Sequence, residues 1–202
     1  MSKLYFRYGA MGSGKTTALL QVAHNYNDKH MKILLIKPDI DKKGEDYVVS
    51  RLGIKRKVDV LLNKGSLFKQ ICLDDIKAII VDEAQFLLPK QVDELYFISK
   101  EYNIPVLCYG LRCDFQMNGF PGSERLLLIA DEIEELKTIC KCGLKATQNL
   151  RHVDGIPTFK GEQVLIDGTR NTVTYEGVCG KCYLKIKHNS EVNNKLWKKE
   201  KE

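Results

Sequence analysis

Apolar positions in the first 110 residues form short continuous runs that alternate with amphipathic stretches. The strand-like runs are 4–8, 33–36, 78–81 and 106–109. Apolar side chains recur at helical spacing over 16–26, and again in the stretch that follows Pro89. Strands and helices in this alternation predict a parallel sheet covered by helices on both faces, which is an α/β fold.

A different pattern begins near Leu136. Residues 140–183 contain short alternating runs, several glycines and four cysteines, and they show little helical periodicity. We therefore predict three parts: an α/β core domain at 1–135, a small β-rich module at 136–188 and a polar tail at 189–202.

Composition places the chain among globular proteins with a packed core. Of its 202 residues, 44% are hydrophobic and 29% are charged, which argues against disorder and low-complexity scaffolds. The longest apolar runs are too short to cross a bilayer, and the N-terminus shows no apolar signal segment. We expect a cytoplasmic protein with no membrane partner.

The net charge of +6 is modest, and half of the excess lies in the last eighteen residues, where six lysines oppose three glutamates. A polyanion-binding surface needs a basic stripe on a folded face. A lysine-rich polar end is more often a solvated terminus, so we expect no nucleic-acid partner.

A phosphate-binding loop follows the first predicted strand. Gly9–Thr16 fits the pattern G-x-x-x-x-G-K-[ST] at every fixed position and opens a predicted helix. Glycines let backbone N–H groups approach phosphate oxygens, while Lys15 reaches the β and γ phosphates and Thr16 offers a hydroxyl to Mg²⁺. We assign nucleoside triphosphate binding to Gly9, Ala10, Met11, Gly12, Ser13, Gly14, Lys15 and Thr16.

Two carboxylates, Asp82 and Glu83, stand where a buried strand ends, at the sheet edge where ligands bind. Asp82 is placed to support Mg²⁺, and Glu83 to deprotonate or orient a phosphoryl acceptor. We add Gln85 to the phosphate-binding group. The alternative is a pair of exposed carboxylates that begin a turn.

Several classes of phosphate-loop protein fit these features. A GTPase usually carries Asn-Lys-x-Asp, which Asn63-Lys64-Gly65-Ser66 does not supply. Asp82-Glu83-Ala84-Gln85 resembles a helicase box, but the first 135 residues hold only one nucleotide-binding core. An ATPase whose ribbon binds nucleic acid remains the rival hypothesis, and an inactive relative is a third.

Taken together, the motifs resemble the thymidine kinase family of the bacterial and animal cytosolic type. In chain order they are Gly-Ala-Met-Gly-Ser-Gly-Lys-Thr at 9–16, Lys37-Pro38 with Ile40-Asp41, Ser50-Arg51-Leu52-Gly53, Asp82-Glu83-Ala84-Gln85-Phe86, Tyr109-Gly110-Leu111-Arg112, Asp114-Phe115 with Phe120 and Gly122-Ser123, and two cysteine pairs. The resemblance implies a P-loop NTPase-like parallel sheet with a small β-rich, zinc-ribbon-like lid domain.

The resemblance also implies an activity and its site. The γ-phosphoryl group of ATP would pass to the 5′-hydroxyl of thymidine or deoxyuridine, with Glu83 as the general base. The positions that match contacts to the nucleoside are Met11, Leu111, Phe115, Phe120 and Tyr175. Ordinary core packing is the alternative interpretation of Leu111, Phe115 and Phe120, and an ordinary strand tyrosine is the alternative for Tyr175. The family suggests a homotetramer.

Two stretches depart from the family pattern. Lys42 and Lys43 follow Asp41 where the family has an arginine, and lysine lacks the bidentate fork. Ile166-Asp167-Gly168 stands where the family has Ile-Gly-Gly, and the run to Tyr175 is longer. Backbone contacts within 163–175 are therefore not carried over.

Four cysteines pair as Cys140-x-Cys142 and Cys179-x-x-Cys182, which is metal-knuckle spacing in the second pair and the family's tighter form in the first. Four thiolates favour Zn²⁺, and a module this small needs such a crosslink to be stable. We predict a structural zinc ion there, with free thiols as the alternative. We expect His152 and His188 to face solvent.

Overall fold

The computed structural model describes residues 1–39, 46–63, 65, 68, 71–163 and 172–199. The chain folds into two compact units. The core unit comprises Met1–Gly9, Gly14–Arg112 and Gly119–Leu136, and the small unit comprises Ala10–Ser13, Cys113–Asn118 and Lys137–Glu202. The predicted domain boundaries at 135/136 and 188/189 stay predictions.

The core unit is built on a parallel sheet of six strands. The elements of this unit are β1 Leu4–Tyr8, α1 Lys15–Asp28, β2 Ile33–Pro38, β3 Tyr47–Val49, β4 Lys55–Lys57, β5 Val60–Leu62, β6 Ala78–Val81, α2 Pro89–Glu101, β7 Val106–Gly110, α3 Pro121–Ile129 and β8 Glu132–Glu135. The strand order is β5-β2-β6-β7-β1-β8, and every neighbouring pair is parallel. Strands β3 and β4 form a separate antiparallel pair.

Alternate residues of each central strand pack against helices on opposite faces. In β6, Ile79 and Val81 join an apolar cluster with residues of α2 and α3, whereas Ala78 and Ile80 join a second cluster with residues of α1. Burial on both faces explains why these strands read as continuous apolar runs rather than as alternating ones. The predicted α/β fold, with helices on both faces, is confirmed.

Strand β8 was not among the predicted elements. Its sequence Glu-Ile-Glu-Glu is mostly exposed, so no apolar run marks it. It pairs with β1 at the sheet edge, where Glu132 contacts Lys3 and Glu134 lies 2.8 Å from Arg7. Charged side chains at a sheet edge discourage pairing with a further strand.

The described residues of the small unit form three antiparallel strands and one helix, namely β9 Gln148–Val153, β10 Ile156–Thr158, β11 Val173–Val178 and α4 Gly180–Lys199. Its own apolar cluster includes Leu150, Val178 and Tyr183. Helix α4 extends beyond residue 188, so the first part of the predicted tail is helical. Among the described residues, no helix is both long and apolar enough to span a membrane.

Candidate active site

The phosphate loop runs from the end of β1 to the start of α1. Gly12 and Gly14 have φ values of 80° and 77°, a left-handed conformation that glycine adopts without strain. The Gly14 carbonyl accepts the Ala18 N–H at 2.9 Å, which begins the helix. The loop therefore leads directly into a helix N-terminus, where backbone N–H groups and the helix dipole favour an anion.

Lys15 is the first residue of α1, and its ammonium group donates to the Gly9 carbonyl at 2.9 Å. Burial lowers the pKa of Lys15 to about 8, although the negative charges of Glu83 and Asp82 oppose that shift. The lysine charge thus lies within electrostatic reach of both predicted carboxylates.

Asp82 follows the last residue of β6, at the carboxyl end of the sheet, and is buried. Burial, and then the charge of Glu83, raises the pKa of Asp82 to about 8, against the opposing effects of a hydrogen bond from the Glu83 N–H and the charges of Lys15 and Lys37. A bound cation or a second ammonium group would favour the charged carboxylate.

Glu83 adopts an unusual backbone conformation for a residue with a side chain. Its φ of 50° and ψ of 39° are left-handed, and it precedes a 3-10 turn at Ala84–Phe86. Such strain persists only where surrounding contacts enforce it, and it is concentrated at functional sites. The side chain is half-buried, and one of its oxygens accepts a hydrogen bond from Gln85.

Gln85 is buried and connects Glu83 to the end of β7. Its Nε2 donates to Glu83, and its Oε1 accepts the Leu111 N–H at 3.1 Å. A Cβ on Gly110 would lie 2.7 Å from this Oε1, so the strand can approach this closely only with glycine. Gln85 thus orients Glu83, and its predicted contact with phosphate stays a prediction.

The predicted nucleoside contacts are distributed over both units. In the core unit, Phe120 stands directly before α3 and packs edge-to-face on Phe86, with ring centres 5.6 Å apart. The Leu111 carbonyl accepts the hydroxyl of Ser123. The small unit contains Met11, Phe115 and Tyr175. These positions stay predicted substrate contacts.

Phe115 is fully buried in the small unit, and Arg151 is stacked on its ring with the guanidinium carbon 3.5 Å from the ring centre. Arg151 also donates to the carbonyls of Glu162 and Lys160. The Phe115 carbonyl accepts the Tyr183 hydroxyl at 2.7 Å. Sequence reasoning missed Arg151, because a single arginine in a β-rich run carries no pattern that marks it as buried.

The four predicted metal ligands lie together. The sulfur atoms of Cys140, Cys142, Cys179 and Cys182 are all within 4.8 Å of one another. A tight turn supplies the first pair, since the Gly143 N–H donates to the Cys140 carbonyl at 2.8 Å, and the second pair spans the junction of β11 and α4. Donation from nearby backbone N–H groups lowers the pKa of Cys140 to about 6. The cluster can therefore hold a metal ion, and four thiol ligands fit zinc.

The two stretches that depart from the family pattern lie outside the described residues, and the prediction that His152 faces solvent is wrong. Lys42, Lys43 and the stretch Ile166-Asp167-Gly168 are outside the described residues. His152 is half-buried rather than solvent-facing, and its Nε2 lies 3.7 Å from Glu176.

Comparison with known proteins identifies the family. The family model described as thymidine kinase matches residues 2–183. The chain belongs to the thymidine kinase family. A thymidine kinase of Chromobacterium violaceum is 45% identical over 185 residues, covering 91% of this chain and 98% of the relative. One from Lactobacillus acidophilus is 46% identical over 191 residues, covering 89% and 94%.

Membership confirms the family resemblance and the expectation of an ATP-dependent transferase. Among solved structures, a Bacteroides Pif1 bound to single-stranded DNA matches at 19% identity with a TM-score of 0.36, over 66% of this chain and 38% of that one. A likeness that distant has no bearing on the activity of this thymidine kinase family member.

Proposed function

We propose that this chain transfers the γ-phosphoryl group of ATP to the 5′-hydroxyl of thymidine or deoxyuridine, a salvage reaction for DNA synthesis. Family membership over residues 2–183 carries the proposal. The core unit supports it, because the charge of Lys15 lies within electrostatic reach of the carboxylates of Asp82 and Glu83, which follow β6.

Glu83 is proposed as the general base. Gln85 occupies one carboxylate oxygen, and we assign the other to the 5′-hydroxyl of the nucleoside. A base fixed in this way needs no reorientation when the hydroxyl attacks, and general base catalysis typically contributes 10²–10⁴-fold to a rate.

The triphosphate is assigned to the main-chain N–H groups of 9–16 and to the ammonium group of Lys15. Thr16 and Asp82 would hold Mg²⁺, since a hydroxyl and a carboxylate are the hard oxygen ligands that this ion prefers. When bound, Mg²⁺ supplies charge neutralisation at the β and γ phosphates. Negative phosphates beside Lys15 would also keep the lysine protonated despite its lowered pKa.

We assign the thymine ring to Met11, Leu111, Phe115, Phe120 and Tyr175, on the family resemblance. Apolar and aromatic side chains suit the flat faces of a pyrimidine, and burial of its 5-methyl group contributes about 1 kcal/mol. We propose a homotetramer on the same basis.

Zinc is proposed as the resident of the Cys140, Cys142, Cys179 and Cys182 cluster. The four sulfurs would supply all the ligands that zinc takes in a structural site and would leave no position for a substrate. The ion would crosslink the turn at Cys140 to the junction of β11 and α4, which we propose is the base of a lid domain at 136–188.

Incubation of the protein with labelled ATP and a panel of nucleosides tests the proposed activity. We expect thymidine monophosphate as the product, with little phosphorylation of purine nucleosides. The rival ATPase would instead hydrolyse ATP faster when DNA is added and would bind DNA in a strongly salt-dependent way. DNA-stimulated hydrolysis without nucleoside phosphorylation would refute the kinase.

A further inference from the structure

The small unit holds the backbone of Met11, a residue of the phosphate loop, through a buried amide. The Met11 N–H donates to Asn149 Oδ1 at 2.8 Å. The other end of the same amide, Asn149 Nδ2, donates to the Cys113 carbonyl at 2.8 Å. Because Asn149 is buried and both of its polar ends are used, its position is fixed, and it fixes the Met11 peptide in turn.

Gly177 contacts the same residue through the Met11 carbonyl. Gly177 lies on β11 directly opposite Asn149 on β9. A Cβ at Gly177 would stand 2.6 Å from the Met11 carbonyl oxygen and 3.4 Å from Ala10 Cβ. The first distance is too short for any side chain, so the close approach of this strand to the loop requires glycine.

One cross-strand pair therefore contacts both polar groups of the Met11 backbone. The N–H contacts Asn149, and the carbonyl packs on Gly177. A further contact lies one residue away, where the Thr138 hydroxyl donates to the Gly12 carbonyl at 3.3 Å. Residues 10–13 accordingly belong to the same compact unit as β9 and β11.

We propose that Asn149 and Gly177 are positioning residues that set the conformation of the phosphate loop for ATP. The proposal rests on the ATP-binding part of the proposed function. Phosphate binding by a loop of this kind depends on several backbone N–H groups that converge on one point. Displacement of the Met11 peptide misaligns the N–H groups that follow it along the chain. The strand pair β9–β11 thereby controls the affinity for ATP without contacting ATP.

The first test is Gly177→Ala, which adds one methyl group beside the Met11 carbonyl. We expect the dissociation constant for MgATP, measured by calorimetry without nucleoside, to rise about tenfold, since sub-ångström misplacement of binding groups has effects of that size. In steady-state assays the KM for ATP should rise more than kcat falls. Gly65→Ala is the matched control, because a Cβ there meets nothing within 4 Å, and it should bind MgATP as the parent does.

The second test concerns the amide. Asn149→Leu removes the acceptor for the Met11 N–H and should weaken MgATP binding to a similar extent. Asn149→Asp keeps an acceptor oxygen and, when protonated, a donor for the Cys113 carbonyl, so it should restore part of the affinity. Thermal unfolding and metal content are measured for every variant.

Unchanged MgATP affinity in folded Gly177→Ala and Asn149→Leu would overturn the proposal. So would a loss of active fraction with an unchanged dissociation constant, or the failure of both variants to fold, because either result assigns the pair to stability alone. Calorimetry with ATP needs no phosphoryl transfer. A parent protein that binds MgATP but does not phosphorylate thymidine would therefore refute the proposed reaction and leave this inference standing.

Discussion

Glu83 combines three properties that together distinguish it from an ordinary exposed carboxylate. Its backbone is left-handed, its side chain accepts a hydrogen bond from buried Gln85, and its neighbour Asp82 is buried with a raised pKa. The strained backbone costs on the order of 1 kcal/mol. That cost is understandable if the conformation directs the carboxylate toward a substrate.

Glu83→Gln preserves the shape and polarity of the side chain but removes its basicity. We expect kcat to fall by about 100-fold or more, while MgATP and thymidine bind with nearly unchanged affinity. Kinetics and equilibrium binding should be compared with those of Glu101→Gln, an exposed glutamate at the end of α2. Near-normal turnover in Glu83→Gln would remove this residue from the role of general base.

At the scale of elements, the parallel neighbours β6 and β7 bring two chain segments to one sheet edge. Val81, the last residue of β6, pairs with Cys108, so the residues that follow β6 lie beside the last residues of β7. Gln85 then bridges them through Leu111, and Gly110 leaves the space that Gln85 fills. The orientation of Glu83, which follows β6, therefore depends on Gly110 at the end of β7.

Gly110→Ala would place a methyl group 2.7 Å from Gln85 Oε1 and 3.0 Å from the Gln85 backbone nitrogen. Gln85 must shift, which misdirects Glu83. We expect kcat to fall about tenfold with little change in the KM for ATP. A variant whose kcat equals that of the parent would show that the bridge does not orient Glu83.

Strand β9 also carries Arg151, whose contacts predict a contribution to the stability of the small unit. Arg151→Lys cannot reproduce the two donations to Lys160 and Glu162, and it loses the planar stack on Phe115. We expect a loss of about 1–3 kcal/mol in the free energy of unfolding, because both carbonyls lose a charged donor and the buried side chain loses its stack on the ring. Denaturant titration measures this loss.

The control for that change is Arg125→Lys, which alters a partly exposed pair with Asp93 and should cost less than about 1 kcal/mol. Equal stabilities of the two variants would contradict the assignment of a structural role to the buried guanidinium group.

At the scale of the whole molecule, the small unit has a small apolar cluster of its own. Among the described residues, the large buried side chains of this cluster are Leu150, Val178 and Tyr183, and two of the cysteines are buried members of it. A domain of this size usually needs a metal or disulfides to be stable. We therefore expect the four thiols to stabilise the fold rather than to take part in the reaction.

Cys140→Ser should abolish zinc retention and lower the midpoint of thermal unfolding, because three sulfurs hold the ion less well than four. Elemental analysis and calorimetry measure the two effects. Cys72→Ser, an exposed cysteine outside the cluster, should change neither. Full zinc content in Cys140→Ser would exclude this cysteine as a ligand.

Local sequence was sufficient wherever the structure depends on near neighbours in the chain. The turn between β1 and α1 was predictable because the glycine-rich pattern lies within eight consecutive residues, while the binding roles of those residues stay predictions. The buried strands and the helix after Pro89 were predictable from their periodicity, and the second cysteine pair from its spacing. The edge strand β8 was not predictable from periodicity, because its residues are mostly exposed and bury no continuous face.

Tertiary structure decided which distant residues meet. Nothing in the sequence marks Asn149 and Gly177 as a pair, because their significance arises only when β9 and β11 align and contact Met11. Likewise, nothing in the sequence shows that Gln85 contacts Leu111 and Gly110, because the fold alone places these residues beside it. Periodicity records which face of an element is buried, whereas hydrogen bonds and close approaches depend on coordinates that only packing fixes.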